Sequence, residues 1–322
     1  GHGAVDRAAV NGDLLAYYQA GITTFDCADI YTGVEEMIGA FRAETTARLG
    51  AGALAALNVH TKFGPDRDVL RVIDRAYVRA IIERSLTRQT LERLDLVQFH
   101  WWDYRAPRWI ETARWLAELQ TEGKIDLVGG TNFDTAHVEA LVAGGVPLKS
   151  LQVQYSVLDQ RPGGAMAQAC ARLGVSLLCY GSLAGGFLSE RWLGQADPAG
   201  AIENRSLIKY RLVIEEFGGW AMLQALLAAL AAVAAAQGVS IAAVAARWVL
   251  ERPGAAAVIV GARDRRHLAD TTAIGDVRLS DTDRARISAV LDQARPLPGD
   301  VYDLERDRTG RHGAIMKYNL NS

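Results

Sequence analysis

The sequence is poor in cysteine, and the three that it has, Cys27, Cys170 and Cys179, lie far apart. An odd number with no Cys-x-x-Cys pair excludes a disulfide framework and a cysteine metal site. Because these cysteines lie mostly in apolar runs, they are typical of reduced core residues in an intracellular protein, and we predict a cytoplasmic one. The chain opens with Gly1-His2-Gly3, without an initiator Met or a signal-peptide pattern, as though cut from a longer chain, so organellar targeting stays open.

The sequence also lacks an excess of either charge and a long uninterrupted apolar run. Thirty-five basic residues against thirty-seven acidic ones give a net charge of -2, which favours neither nucleic acid nor an anionic membrane as partner. The most apolar stretch, 221–249, is interrupted by Gln224, Gln237, Gly238 and Arg247, whereas a membrane span needs about 20 apolar residues. We predict two Ala-rich buried helices there and a small-molecule ligand; the oligomeric state is not indicated.

Several motifs of enzymes are missing. There is no Walker loop, no His-Glu-x-x-His helix and no Gly-x-Ser-x-Gly elbow. Gly1-His2-Gly3 is no dinucleotide fingerprint, because no strand precedes it.

What the sequence does have is a regular alternation of two kinds of segment. Runs typical of strands lie at 22–28, 57–63, 94–100, 125–130, 148–153, 175–180 and 256–260. Helix-length segments lie between or beside them, at 4–19, 35–49, 73–94, 109–122, 135–143, 164–173 and 280–294. The alternation predicts parallel strands joined by helices, in an open doubly wound sheet or a closed (β/α)8 TIM barrel. With 322 residues, half of them apolar, the chain can form one domain over 1–322.

Seven strands are one fewer than a closed barrel needs. A barrel without one strand would expose two unpaired edges, so the first strand lies upstream of Gly1 or another segment replaces it. The connection 181–219 is long, polar and irregular, and the tail 295–322 is rich in Pro and Gly. Since βα loops form the mouth of a barrel, we predict that both segments form walls near the active site.

Four polar side chains stand at or just after the ends of the first three strands: Asp26, Tyr31, Lys62 and His100. Barrel enzymes place catalytic groups at strand carboxyl ends. A carbonyl that receives a hydride needs a proton at its oxygen, and a tyrosine with an ordinary pKa of about 10 is a poor donor at neutral pH. A nearby lysine would favour the phenolate, an aspartate would keep that lysine charged, and a histidine would align the carbonyl.

Each of these residues has a simpler interpretation when taken alone. A strand-end Asp or Lys is often part of a structural ion pair, and His100, beside Trp101 and Trp102, fits a satisfied core histidine. The joint occurrence favours catalysis. A metal-dependent hydrolase using His60 and His100 is an alternative, but it lacks the His-x-His strand pair and an Asp on the last strand, so we predict no metal.

In their order along the chain these motifs resemble the aldo/keto reductase family. The segment 21–31 resembles the family's opening motif, with a Tyr five residues after its Asp, and the strands ending at Lys62 and His100 resemble its lysine and histidine strands. The resemblance spans roughly 4–291. It implies a TIM barrel and an NAD(P)-dependent oxidoreductase acting on an aldehyde, ketone, sugar alcohol or lactol. The family's first strand has no counterpart here.

The resemblance also implies a set of cofactor-binding residues. The first group comprises the carboxamide-holding Thr131, Asn132 and Gln152, then Tyr180 as the aromatic on which the nicotinamide stacks, and Gly181, Ser182 and Leu183 of the loop over the pyrophosphate. The adenosine-phosphate segment supplies Gly261, Ala262, Arg263, His267 and Asp270.

The adenosine-phosphate segment departs from the family's pattern. His267 replaces the frequent Arg, and Thr271 stands where an Asn is expected. Arg263, Arg265 and Arg266 still predict neutralisation of a 2′-phosphate, so we predict NADP and leave NAD open; a solvated basic helix face is the alternative.

Two further predictions concern the substrate and a competing function. Trp101 and Trp102 are the predicted walls of an apolar substrate pocket. The alternative to an enzyme is a regulatory subunit resembling the potassium-channel β subunits of this barrel, in which bound nucleotide reports redox state to a partner. The sequence does not indicate the substrate or the direction of reaction.

Overall fold

The computed structural model describes residues 7–198, 205–262 and 264–319. These residues form two compact units. The first unit comprises 7–151, 262, 264–268 and 317–319, and the second comprises 152–198, 205–261 and 269–316. Each unit is described by itself below.

Seven parallel strands lie in the sheet in chain order. They are β1 (Thr24–Asp26), β2 (Asn58–Phe63), β3 (Leu94–Phe99), β4 (Ile125–Thr131), β5 (Leu148–Gln154), β6 (Ser176–Tyr180) and β7 (Ala255–Val258). All seven predicted strands are confirmed, with bounds shifted by at most two residues. They are short because each apolar run ends where a polar or glycine-containing turn begins.

Thirteen helices occur in the described part of the chain. They are α1 (Arg7–Gln19), α2 (Val34–Leu49), α3 (Arg75–Gln89), α4 (Trp109–Thr121), α5 (Thr135–Ala143), α6 (Ala165–Leu173), α7 (Arg205–Phe217), α8 (Trp220–Gln237), α9 (Ile241–Leu250), α10 (Leu268–Ala273), α11 (Asp281–Leu291), α12 (Asp303–Arg306) and α13 (Arg311–Ala314). The predicted alternation of strand and helix is therefore confirmed.

The outer face of the first strands packs against helices of the first unit. Residues of α2, of β2 and of the chain that follows β1 and precedes β2 form one buried cluster: Cys27, Ile38, Phe41, Leu54, Leu57 and Val59. Leu14, Leu15 and Tyr18 on α1 cover its edge. Since side chains alternate along a strand, the residues between those of this cluster face the opposite side of the sheet, where the candidate catalytic groups lie.

The prediction that the connection 181–219 is irregular is wrong in one respect, because this segment contains helix α7. Buried residues of α7 recur at helical spacing: Tyr210, Val213, Ile214 and Phe217. This apolar stripe packs into the second unit and stabilises the helix despite its polar opposite face.

The two predicted Ala-rich helices are confirmed as α8 and α9. Gly238 ends α8 with a left-handed φ of 65°, and Ser240 begins α9 by accepting a hydrogen bond from the Ala243 amide. By length and hydropathy alone α8 could cross a membrane; 39% of its residues are buried within the protein. It packs on α9 and α11 of the second unit.

Candidate active site

The strand register brings four polar side chains to one face of the sheet. Asp26 pairs with His60, two residues before Lys62, and Lys62 pairs with Gln98, two residues before His100. Because side chains alternate along a strand, Asp26, Lys62, Gln98 and His100 all project from the same face. Three of the four predicted catalytic residues are thus placed together by the backbone alone.

Lys62 is the centre of this group. Its ammonium donates to Asp26 Oδ2 at 2.6 Å and to the carbonyl of Cys27 at 2.8 Å, and the side chain is buried. Burial alone lowers the pKa of Lys62, but interactions with Tyr31 and Asp26 outweigh it, so the net pKa is raised. Lys62 is therefore a fixed positive charge at neutral pH.

Tyr31 is the exposed member of the group. It lies in the turn between β1 and α2, where its amide donates to the carbonyl of Ala28 at 3.0 Å, and 46% of its surface is exposed. Its ring centre is 5.1 Å from Lys62 Nζ. A solvent-accessible phenol beside a buried cation is an arrangement suited to proton transfer with a ligand from solution.

His100 is buried at the end of β3. Its Nδ1 lies 3.1 Å from the carbonyl oxygen of Thr131. Because a carbonyl only accepts, Nδ1 carries the proton, so Nε2 accepts a hydrogen bond in the neutral ring and donates one only when the ring is charged. The Trp102 ring stands edge-on to this imidazole, with centroids 4.2 Å apart.

The two tryptophans predicted to line a pocket differ in their surroundings. Trp101 is completely buried, and its indole nitrogen donates to the carbonyls of Asp103 and Ala106. Trp102 is partly exposed, donates to the carbonyl of Pro65, and meets the ring of Tyr318 at 5.4 Å. Trp102 therefore has an exposed surface beside His100, whereas Trp101 packs in the core.

The end of the tail belongs to the same unit as these residues. The carbonyl of Tyr318 accepts from the Arg67 amide at 3.0 Å, and Asn319 Nδ2 donates to Asp68 Oδ2 at 2.7 Å. The chain after β2 is thereby joined to residues 318–319. Tyr318 contacts Trp102 beside His100. That the tail 295–322 forms a wall near the active site stays a prediction.

The cofactor residues predicted in the first unit fall into two places. Thr131 ends β4 and is buried, and Asn132 follows it in a left-handed conformation with φ 61°. Ala262 and His267 are exposed, and Arg263 lies outside the described residues. Two neighbouring arginines already have carboxylate partners: Arg265 pairs with Asp13 at 2.8 Å and Arg266 with Asp264 at 2.7 Å.

The other predicted cofactor residues belong to the second unit. Gln152 is buried on β5, and Tyr180 ends β6. Gly181 has φ 70°, and a methyl group there would collide with the Tyr210 hydroxyl, so this turn requires glycine. Ser182 is buried and Leu183 partly so, whereas Gly261 and Asp270 are exposed.

Comparison with known proteins decides the family. The sequence model described as "Aldo/keto reductase family" matches residues 1–292. The chain belongs to the aldo/keto reductase family. A solved glycerol dehydrogenase from Gluconobacter oxydans is similar over 92% of this chain and 89% of its own, with a TM-score of 0.75 at 24% identity. The likeness confirms the (β/α)8 barrel as fold class, with seven strands in the described residues.

Two further proteins are similar to this aldo/keto reductase. A Klebsiella pneumoniae aldo/keto reductase, solved with NADP and acetate, covers 94% of the chain and 92% of its own, with a TM-score of 0.68 at 23% identity. Flagellar radial spoke protein 5 of Chlamydomonas reinhardtii is 28% identical over 259 residues. This match includes 70% of the chain but 49% of the relative, so the chain spans about half of that protein.

Gln98 is a site residue that the sequence interpretation of this aldo/keto reductase missed. Its Nε2 donates to Asp26 Oδ1 at 3.0 Å, while Lys62 holds Oδ2. The signal was the lone amide in strand 94–99, which is apolar apart from Asp95 and this residue; it lies opposite Lys62 in the parallel register. A buried amide of this kind needs a polar partner, which here is the carboxylate.

The sequence interpretation also missed a buried ionic cluster in the second unit of this aldo/keto reductase. Arg161 pairs with Asp159 at 2.7 Å and with Glu305 at 3.5 Å, and Lys209 lies 3.7 Å from Glu305. The Lys209 ammonium is also 5.2 Å from the Tyr180 ring centre. Among the residues that the structure describes, no group of three or more His, Cys, Asp or Glu could hold a metal ion.

Proposed function

We propose that this aldo/keto reductase is an NADP-dependent enzyme that transfers a hydride between nicotinamide and an aldehyde, ketone, sugar alcohol or lactol. The observation that carries the proposal is the position of Lys62. Its ammonium is buried, is held by Asp26 at 2.6 Å and lies 5.1 Å from the centre of the exposed Tyr31 ring. A structural ion pair alone would not need a solvent-exposed phenol at its open side.

In the proposed reaction the nicotinamide, when bound, supplies or accepts the hydride. Tyr31 gives a proton to the carbonyl oxygen during reduction and takes it back during oxidation. Lys62 stabilises the phenolate that remains, and Asp26 keeps Lys62 charged and oriented. His100 aligns the substrate oxygen, with Nε2 accepting from an alcohol when neutral and donating to a carbonyl when charged.

The residues present fit a dinucleotide cofactor. In the second unit the Ser182 hydroxyl is buried and has no hydrogen-bond partner in the part of the chain that the structure describes. It lies in the loop after β6, where Gly181 and Ala184 have left-handed φ, a backbone form that suits anionic groups. We assign the pyrophosphate to Gly181, Ser182 and Leu183, and nicotinamide stacking to Tyr180.

The remaining cofactor assignments rest on the family resemblance and stay predictions. They are carboxamide binding by Thr131, Asn132 and Gln152, and phosphate or adenosine binding by Gly261, Ala262, Arg263, His267 and Asp270. NADP is favoured because the similar Klebsiella protein was solved with it. NAD stays open, because Asp13 and Asp264 already neutralise Arg265 and Arg266.

We assign the substrate wall in the first unit to Trp102 and Tyr318, with Trp101 supporting them from the core. Their rings, close to His100, favour a ligand with an apolar part and one reacting oxygen. A cytoplasmic location stays a prediction. The regulatory-subunit alternative has no support in these comparisons.

The test is NADPH-dependent loss of absorbance at 340 nm with a panel of aldehydes, ketones and, in reverse, polyols with NADP. We expect Tyr31→Phe to reduce kcat at least about 10²-fold, since it removes the proton donor. Tyr18→Phe is the matched control, because it also removes one tyrosine hydroxyl, which on Tyr18 accepts a hydrogen bond from the Ala56 amide at 3.3 Å. Equal loss in both variants, or none in either, would contradict the assignment.

A further inference from the structure

Asp29 lies in the turn that joins β1 to Tyr31, and it connects this turn to the end of β2. Its amide donates to the carbonyl of Lys62 at 3.4 Å, and its Oδ2 accepts from the Gly64 amide at 3.5 Å. Its own carbonyl accepts from Arg88 on α3 at 3.1 Å. The residue therefore joins the segment carrying Tyr31 to the strand carrying Lys62.

A second carboxyl group, that of Glu35, is buried in the same region. Glu35 is well supplied with donors: the Thr61 hydroxyl at 2.7 Å, the Gln89 amide at 3.1 Å and the Arg88 guanidinium at 3.3 Å. These three donors stabilise its negative charge. The charge of Glu35 therefore opposes a second negative charge on Asp29.

Asp29 has few such donors. Its side chain is 4% exposed, the Gly64 hydrogen bond is long, and Oδ1 is buried with no hydrogen-bond partner among the described residues. Burial, reinforced by the Glu35 carboxylate, raises the pKa of Asp29 to about 7. Arg84 and the backbone amides of Gly64 and Ile30 offset only part of this rise.

The other titratable groups facing Asp29 come from α3 and from the chain after β2. They are Arg84 and Tyr77 on α3 and Asp66 after β2. Burial, then Asp66 and Asp29, raise the pKa of Tyr77, so this phenol stays neutral and adds no charge near pH 7. Asp29 is therefore the group in this cluster whose charge changes near neutrality.

We propose that Asp29 is a positioning residue: its neutral carboxyl group lets the turn ending at Tyr31 pack against the strand that carries Lys62, because it adds no second negative charge beside Glu35. Ionisation places a second negative charge beside Glu35 and pushes the turn away from β2. Tyr31, two residues further on, then moves relative to the Lys62 ammonium. The catalytic consequence rests on the proposed function; the titration and the movement of Tyr31 do not.

The experiment compares the full chain with Asp29→Asn, which keeps the shape of the side chain and stays neutral. Asp126→Asn, at an exposed position on β4, is the matched control. Carboxyl-carbon NMR across pH 5.5–8.5 should show a resonance with a midpoint close to 7 that is missing only in Asp29→Asn. The Tyr31 ring resonances should shift with the same midpoint.

Activity gives the second readout. We expect the ratio of wild-type to Asp29→Asn kcat to fall roughly tenfold as pH rises from 6 to 8, with little change in KM, because misplacement of a catalytic group by about 1 Å costs up to 10²-fold. A flat ratio would overturn the positioning role even if Asp29 titrates. No carboxyl titrating near pH 7 in the wild-type chain would overturn the proposal outright, and that measurement needs no variant to fold. If the chain reduces no carbonyl while Asp29 and Tyr31 shift together, the proposed function fails and the positioning inference stands.

Discussion

The pairing of Lys62 with Asp26 predicts an asymmetric pattern of stability that does not depend on any assay of activity. In Asp26→Asn the buried ammonium keeps the Cys27 carbonyl at 2.8 Å but loses its carboxylate. Removing one partner of a buried pair costs about 3–5 kcal/mol. We expect the lower end, about 3 kcal/mol, because both side chains keep slight exposure, 9% and 15%.

Lys62→Met should cost less than Asp26→Asn. The carboxylate that remains still accepts from Gln98 Nε2 at 3.0 Å, so its charge is partly satisfied. We expect a loss of about 1.5 kcal/mol, the lower end of the range of about 1.5–3 kcal/mol for a hydrogen bond to a charged group. In the double variant neither charge is left alone, and the loss should fall about 2 kcal/mol short of the sum of the single losses.

The assay is urea unfolding at pH 7, followed by tryptophan fluorescence, for the two single variants and the double variant. The exposed pair Arg93–Asp126, 3.4 Å apart with side chains 59% and 48% exposed, is the control. The double-mutant cycle of this control pair should give a coupling energy below about 1 kcal/mol. Additivity within about 0.5 kcal/mol for Lys62 and Asp26, or a larger loss from Lys62→Met than from Asp26→Asn, would refute the reasoning.

The pH dependence of this pair follows from the raised pKa of Lys62. A base whose pKa rises on folding contributes its full stabilisation below the unfolded value and loses it as pH rises through the folded value. For Lys62 both values lie in the alkaline range. The coupling energy from the double-mutant cycle of Lys62 and Asp26 should therefore be the same at pH 7 and pH 9.

Two other predictions concern buried groups elsewhere in the chain. Glu305→Gln should lower the free energy of unfolding by about 3 kcal/mol, because Glu305 is 1% exposed beside Arg161 and Lys209. The control Glu111→Gln, in the exposed pair Arg108–Glu111, should change the free energy of unfolding little. Equal effects of the two substitutions would contradict the argument. The cysteines should resist iodoacetamide at pH 8 in the native chain and react in urea. Burial raises the pKa of the Cys27 and Cys179 thiols to about 12 and that of the Cys170 thiol to about 11. Rapid alkylation of the native chain would contradict this prediction. These thiols are Cys27, Cys170 and Cys179.

The strands and the tyrosine-lysine pair were predictable from sequence for the same physical reason. The first three apolar runs each carry a polar residue at or near the carboxyl end, and parallel pairing brings those ends to one edge, so Asp26, Lys62 and His100 converge without knowledge of any distant contact. Helix α7 was not predicted, because the polar residues of 181–219 dominate its composition. Its apolar stripe is visible only at the spacing of Tyr210, Val213, Ile214 and Phe217.

Contacts between residues far apart in sequence were beyond prediction. Nothing in the basic run at 263–266 indicates that Arg265 pairs with Asp13, 252 positions away. Glu305 and Arg161 are separated by 144 positions. The proton on Asp29 likewise depends on burial and on the donors that Glu35 has taken, which only coordinates reveal.

The carboxylate of Asp26 has both of its oxygens engaged, one by Lys62 and the other by Gln98. A side chain restrained from two directions has lost its rotational freedom during folding, before any ligand arrives. In the proposed reaction the electric field at the Tyr31 hydroxyl is therefore set in advance, and little dipole rearrangement accompanies each turnover. The substitution Gln98→Leu would remove the hydrogen bond to one oxygen of the Asp26 carboxylate. We expect it to increase the entropic part of the activation free energy without changing any side chain proposed to contact the substrate.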